Sequence, residues 1–354
     1  MIITIADAVF AAVESASDRL QSSRLLSLLL LGDEGRHRIL IDPLYEPNAA
    51  RHVNRWLARR DRETREAIEL TLDFGTKAEA GFPLDVEIRV DDVPTPDWKH
   101  SPPVLPLEDA LRLARRPLVV LVEDLLNDGM FLRAIASEKY WPRFGEAVRN
   151  DWINVAHGGG IESIERRVTE IMVTEGQAGQ PDACLRMWIM FDSDAIDPRA
   201  PSKSSERLKR KCEESKKPIR YHQLKRRAIE NYLPRQALDN YTREAFPGGK
   251  ERSGRQVFKA YYAMEPLQRH HYNLKEGFQQ DRKRGEKIDL LQHFGDHQNQ
   301  PELQRGFGKQ IWREVCNHPL NLEHKIPPFP VSWLHDDSSR EEAEDILRSL
   351  LQRL

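Results

Sequence analysis

Three carboxylates occupy places in this chain where they could act together. Glu123 closes an apolar run, Pro117-Leu118-Val119-Val120-Leu121-Val122, and Asp192 and Asp194 follow a second one, Cys184 to Phe191. Two aspartates spaced i, i+2 at the end of a strand direct their side chains to the same side. Hard divalent cations such as Mg²⁺ take oxygen ligands and keep several waters, so a few carboxylates suffice to hold one. Glu123, Asp192 and Asp194 are therefore a candidate Mg²⁺ site, provided the two apolar runs become neighbouring strands. Between them lies Gly158-Gly159-Gly160, placed between a strand-like and a helix-like segment. Bare amides ahead of a helix N-terminus favour an anion, so these glycines are a candidate phosphate loop.

The elements that must position these residues are legible as alternation. Apolar runs bounded by polar residues read as strands buried on both faces: Pro117–Val122, Trp152–Val155 and Cys184–Phe191, with a short fourth at Ile219–His222. Helical spacing separates them at Leu107–Arg115, Gly129–Tyr140, Ile161–Val173 and Lys203–Ser215. Strands alternating with helices imply an α/β domain with a mostly parallel sheet, assigned here to residues 106–245. Residues 1–105 read as a separate α+β unit: Ile2–Val13 as helix or strand, a hairpin of Leu25–Leu31 and Arg38–Ile41 about Gly32-Asp33-Glu34-Gly35, a helix over Ala49–Leu72, and a strand at Val86–Val90. A proline-rich break at Val93–Pro103 is the linker candidate. Residues 246–354 read as mainly helical. Their last helix opens on a Ser339/Glu342 capping box and carries an apolar stripe of Ile346, Leu347, Leu350, Leu351 and Leu354. The stripe is expected to pack on its own domain, with a homodimer contact as the alternative.

Composition excludes several classes. The chain has 354 residues with 39% hydrophobic and 31% charged residues, enough apolar content to build cores. Its three cysteines are widely spaced, which argues against a disulfide scaffold or zinc ribbon. No apolar run approaches the ~20 residues of a membrane span, and no leader pattern opens the chain, so a cytoplasmic protein is expected. The net charge of −2 conceals an uneven distribution, because Arg199 to Arg227 holds twelve Lys/Arg against three Glu. This basic arm includes Lys209, Arg210, Lys211, Lys225, Arg226 and Arg227, and it begins and ends near the acidic cluster. It is a candidate for sequence-independent binding of a phosphate backbone. No G-x-x-x-x-G-K-[ST] occurs, so the chain carries no ATPase motif of its own.

Taken in order, Val122-Glu123-Asp124 with Asp128, the glycine turn, Phe191-Asp192-Ser193-Asp194 and Ala228-Ile229-Glu230-Asn231-Tyr232-Leu233 resemble the TOPRIM domain. The likeness is to OLD-family nucleases and to stand-alone TOPRIM effectors of bacterial antiphage defence. It covers about residues 106–245, with Asp124 standing where the family usually has glycine. The resemblance implies a Rossmannoid sheet and a two-metal nuclease cutting DNA or RNA with Mg²⁺ or Mn²⁺. One ion would lie on Glu123, Asp192 and Asp194 with Asp128, and the second would lean on Glu230. It also implies a catalytic lysine, for which Lys275 is the candidate and Lys225 the runner-up, and a partner ATPase or sensor on a separate chain. Two other readings stay open: a non-catalytic nucleic-acid-binding subunit, and a TOPRIM enzyme of primase or topoisomerase type.

Overall fold

The computed structural model describes the chain except residues 17, 48–49, 78–82, 137–138, 179–181, 215–218, 245, 247–252, 284–286 and 318–338. Two four-stranded sheets, each parallel throughout, organise it. The first comprises β1 (Ile2–Ala6), β2 (Arg38–Asp42), β3 (Glu87–Val90) and β4 (Val104–Leu105), in the order β2-β1-β3-β4. The second comprises β5 (Leu118–Val122), β6 (Ile153–His157), β7 (Met187–Phe191) and β8 (Arg220–Gln223), in the order β6-β5-β7-β8. Among the described residues, no helix is long and apolar enough to cross a membrane.

The first unit corrects the α+β expectation: it is α/β, with no hairpin among the described residues. Residues Arg19–Asp33 form helix α2 after α1 (Asp7–Ser15). Leu25, Leu28 and Leu29 of α2 are buried at i, i+3, i+4 spacing, so the leucine run is a helix face, and leucine is a strong helix former. The expected turn is the end of that helix, where Gly35 takes φ 71°, open to glycine without strain. Helices α3 (His52–Ala58) and α4 (Arg62–Lys77) complete the segment before β3. Helix α5 (Leu107–Arg115), expected to open the second unit, buries Leu107, Ala110, Leu111 and Ala114 in the first core. The break in packing therefore falls after α5 rather than at the proline-rich stretch, part of which leads into β4.

In the second sheet the strand residues divide by pleat. Val120, Val122, Trp188 and Met190 face one core, and Leu121, Met187, Ile189 and Phe191 face the other. Helices α8 (Ile161–Ala178) and α10 (Lys203–Glu214) cover the latter face. The former is covered by α6 (Leu125–Ile135), α7 (Trp141–Arg149) and the helical C-terminal region. Among the described residues that region has no separate core, its buried side chains joining that of the sheet. Ile346, Leu347, Leu350, Leu351 and Leu354 are all fully or almost fully buried against the sheet's own helices. Each such side chain contributes roughly 1.5–3 kcal/mol relative to exposure, which fastens the C-terminal helix (Ser339–Leu351) to the fold.

Candidate active site

The chain passes from β5 to β6 on one side and then to β7 on the other, so strand order reverses between β5 and β7. In an open parallel sheet the crevice beyond the carboxyl ends at such a reversal is where ligands bind. β5 and β7 are hydrogen-bonded neighbours, the condition on which the carboxylate site depends. Glu123 follows the first strand and Asp192 the second, and the Asp192 N–H donates to Glu123 Oε1 at 2.8 Å.

Asp194 arrives by a route the i, i+2 spacing does not describe. Its φ of 51° turns the chain out of extended conformation immediately after the strand. Its N–H donates to the Arg227 carbonyl at 2.9 Å, tying it to the loop that leads to Glu230. There Asp194 lines, with Glu230 and Lys275, one small cavity of about 110 Å³. Glu230 sits in a short 3-10 helix, Ile229–Tyr232, and is 2% exposed. The Lys275 ammonium lies 3.1 Å from Glu230 Oε1, whereas Glu230 Oε2 is buried with no hydrogen-bond partner. Lys225, the alternative lysine, is exposed, and its backbone N–H donates to Glu342 instead. Asp128 lies in the first turn of α6, buried, with one oxygen accepting the Asp124 N–H at 2.9 Å.

Burial and neighbouring charge both act on these groups. Burial, opposed by the Asp192 amide and reinforced by Asp194 and Asp128, pushes the Glu123 carboxyl up to about 8. Burial with the nearby Glu230 charge pushes Asp128 up to about 7. Asp192 is raised well above the carboxylate range by burial and by Glu123. Burial alone would lower the Lys275 ammonium, but Glu230, Asp192 and Glu123 together lift it above its usual range. Acidic groups whose ionisation is this costly need positive charge nearby. Among the described residues, no three His, Cys, Asp or Glu side chains are grouped closely enough to hold one ion. The donor set is nonetheless all hard oxygen, and the unbonded Glu230 Oε2 gives a divalent cation a ligand atom.

Other expectations change. The glycine run is not a free phosphate cradle, because the Gly158 N–H donates to the Val122 carbonyl at 2.6 Å and the Gly159 N–H to the Glu123 carbonyl at 3.2 Å. A Cβ on Gly158 would stand 2.3 Å from Ile164 Cγ1 and 2.8 Å from the Val122 oxygen, so close packing requires glycine there. Two of the amides hold the end of β5, and with it Glu123, in place. Arg226 and Arg227 are buried rather than presented to nucleic acid. Arg227 makes a two-pronged ion pair with Asp281 at 2.7 and 2.9 Å, and Arg226 donates to Ser339 Oγ and the Asn231 carbonyl. Lys211 pairs with Glu165 on α8 at 3.2 Å. Lys209 and Arg210 lie in the second half of α10. As the crossover between parallel strands, that helix starts at the crevice and runs away from it. Lys216 and Lys217 lie outside the described residues. Glu342, legible in the sequence only as part of a capping box, accepts through its carboxylate from Tyr232, His222 and Lys225. Local sequence carries no signal for those partners.

Comparison with protein-family models, with curated proteins and with solved structures yields no match to this chain.

Proposed function

We propose that the chain is a divalent-metal-dependent nuclease of TOPRIM type, cleaving phosphodiester bonds of DNA or RNA, and an effector of bacterial antiphage defence. The observation that carries the proposal is that Glu123 and Asp192, at the ends of the neighbouring strands β5 and β7, are hydrogen-bonded at the reversal point of a parallel sheet, while Asp194, Glu230 and Lys275, from later segments, line one cavity. Glu123, Asp192 and Asp194 with Asp128 would hold one ion and Glu230 a second, supplying positive charge to both the attacking and the leaving oxygens of an in-line displacement. The Asp192 amide and the Gly159 amide fix Glu123 from two directions. Lys275, charged throughout the physiological range, is placed to donate to a non-bridging phosphate oxygen as charge builds on it. The exposed Arg210 and Lys225, with the half-buried Lys209, draw in the backbone without reading bases. The role in defence and the separate ATPase or sensor chain rest on the likeness to OLD-family and stand-alone TOPRIM proteins alone.

The Lys275–Glu230 ion pair favours a second reading, in which the ammonium neutralises structural acids in a non-catalytic nucleic-acid-binding subunit. Incubation of the purified chain with supercoiled plasmid and with structured RNA, in Mg²⁺ or Mn²⁺, separates the two. Cleavage that EDTA stops supports the nuclease. Salt-dependent binding that survives EDTA, with no cleavage under either metal, supports the subunit.

A further inference from the structure

The loop that carries Glu230 is held less by the sheet than by the first turn of the C-terminal helix, between 110 and 120 residues further along the chain. Glu342, 3% exposed, accepts from the Lys225 N–H at 2.7 Å and His222 Nε2 at 3.0 Å on one oxygen, and from the Tyr232 hydroxyl at 2.6 Å on the other. One turn earlier, Ser339 Oγ accepts from the Arg226 guanidinium at 2.7 Å. Arg226 in turn donates to the Asn231 carbonyl at 2.6 Å and lies 4.7 Å over the Tyr232 ring. The same stretch is tied to the aspartates, since Ser193 Oγ donates to the Arg226 carbonyl at 2.8 Å and the Asp194 N–H to the Arg227 carbonyl. A 3-10 helix of four residues has little stability of its own. Asn231, next to Glu230, also donates to the Arg269 and Tyr272 carbonyls, so the direction of Glu230 is set jointly by that hold and by what grips Arg226 and Tyr232 on either side.

We propose that Glu342, assisted by Ser339, is a positioning residue for Glu230: the C-terminal helix clamps the Arg226–Tyr232 loop against the aspartates and thereby sets the cation affinity of a site to which it contributes no ligand. The inference rests on the metal-dependent reading of the site. Glutamine at 342 keeps one acceptor oxygen and replaces the other with an amide that only donates, so it cannot accept on both sides from the three donors as the carboxylate does.

The test uses the full chain, with Mn²⁺ alone as probe followed by electron paramagnetic resonance, and hydrogen exchange of the backbone amides of residues 226–233. Glu342→Gln raises the Mn²⁺ dissociation constant about tenfold, as loss of an outer-shell support does, and speeds exchange across the loop. Leu350→Ala, on the same helix but inside the apolar core, lowers the melting temperature and leaves both readouts unchanged. If Glu342→Gln does not fold, Ser339→Ala decides, since it removes one acceptor from Arg226 and must shift both readouts in the same direction. Unchanged Mn²⁺ affinity and loop exchange in the folded Glu342 or Ser339 variant overturn the clamp, as does a Leu350→Ala effect of equal size. If the wild-type chain binds no Mn²⁺, the metal reading fails, while loop exchange still decides whether the clamp exists.

Discussion

The molecule contains two parallel sheets with the same relative strand order, and they treat the acids at their carboxyl ends in opposite ways. In the first sheet, Asp7 after β1 accepts the His52 and Val53 amides and so caps α3. Asp42 and Asp91, at the ends of β2 and β3, share the Arg89 guanidinium. Every one of these charges has a local partner. In the second sheet, the Glu123 carboxylate accepts only the Asp192 amide among the described residues, burial holds Glu123, Asp128 and Asp192 above the carboxylate range, and the Lys275 ammonium pairs with Glu230. Topology provides a crevice in both halves. Acids left short of positive charge distinguish the half in which we propose a cation site.

The comparison breaks most visibly on activity. Asp192→Asn or Glu123→Gln should reduce Mg²⁺-dependent cleavage by at least about a thousandfold, the scale of losing a group that stabilises the transition state. Asp7→Asn and Asp91→Asn, the counterparts in the first sheet, should cut as the wild type does. Equal loss in both sheets would dissolve the distinction.

Ion pairs sharpen it next. Arg227→Ala strands Asp281, which is 0% exposed on its side chain, and should cost about 3–5 kcal/mol in denaturant unfolding. Arg89→Ala removes a pair about a third open to solvent and should cost no more than about 1 kcal/mol. The pH dependence follows from the same burial. Glu123 and Asp128, raised to about 8 and about 7, hold protons in the folded chain that the unfolded chain has released at those pH values. The folded state binds more protons across that interval, so stability of the metal-free protein falls as pH rises from about 4 to 8. Added Mg²⁺ should recover it most near pH 8, as thermal melts would report. Stability that rises with pH over this range would contradict the assignment. The smallest effect belongs to the basic surface: replacing Lys209 or Arg210 by Gln should weaken nucleic-acid binding alike for all sequences. The log–log salt slope should flatten by about 1 for each phosphate that the variant no longer neutralises.

Legibility in the sequence divides along the same line. The central strands β5 and β7, buried on both faces, announce themselves as continuous apolar runs, and Glu123, Asp192 and Asp194 are marked because they follow those runs. The first sheet is obscured because a leucine-rich helix, Leu25–Leu31, and a glycine turn imitate a hairpin over a short window. The roles of Arg226, Arg227 and Glu342 depend on partners 54 to 120 residues away. A basic cluster in the sequence cannot reveal which of its members are buried. The glycine run reads correctly as a turn, but its amides serve β5, a pairing set by sheet register rather than by the motif.

The most direct test of the central claim is anomalous diffraction from crystals soaked in Mn²⁺. The account predicts peaks ligated by Glu123, Asp192 and Asp194 and by Glu230, with Lys275 moved off Glu230. Ordered carboxylates with no peak among them, and the Lys275–Glu230 pair intact, would contradict it.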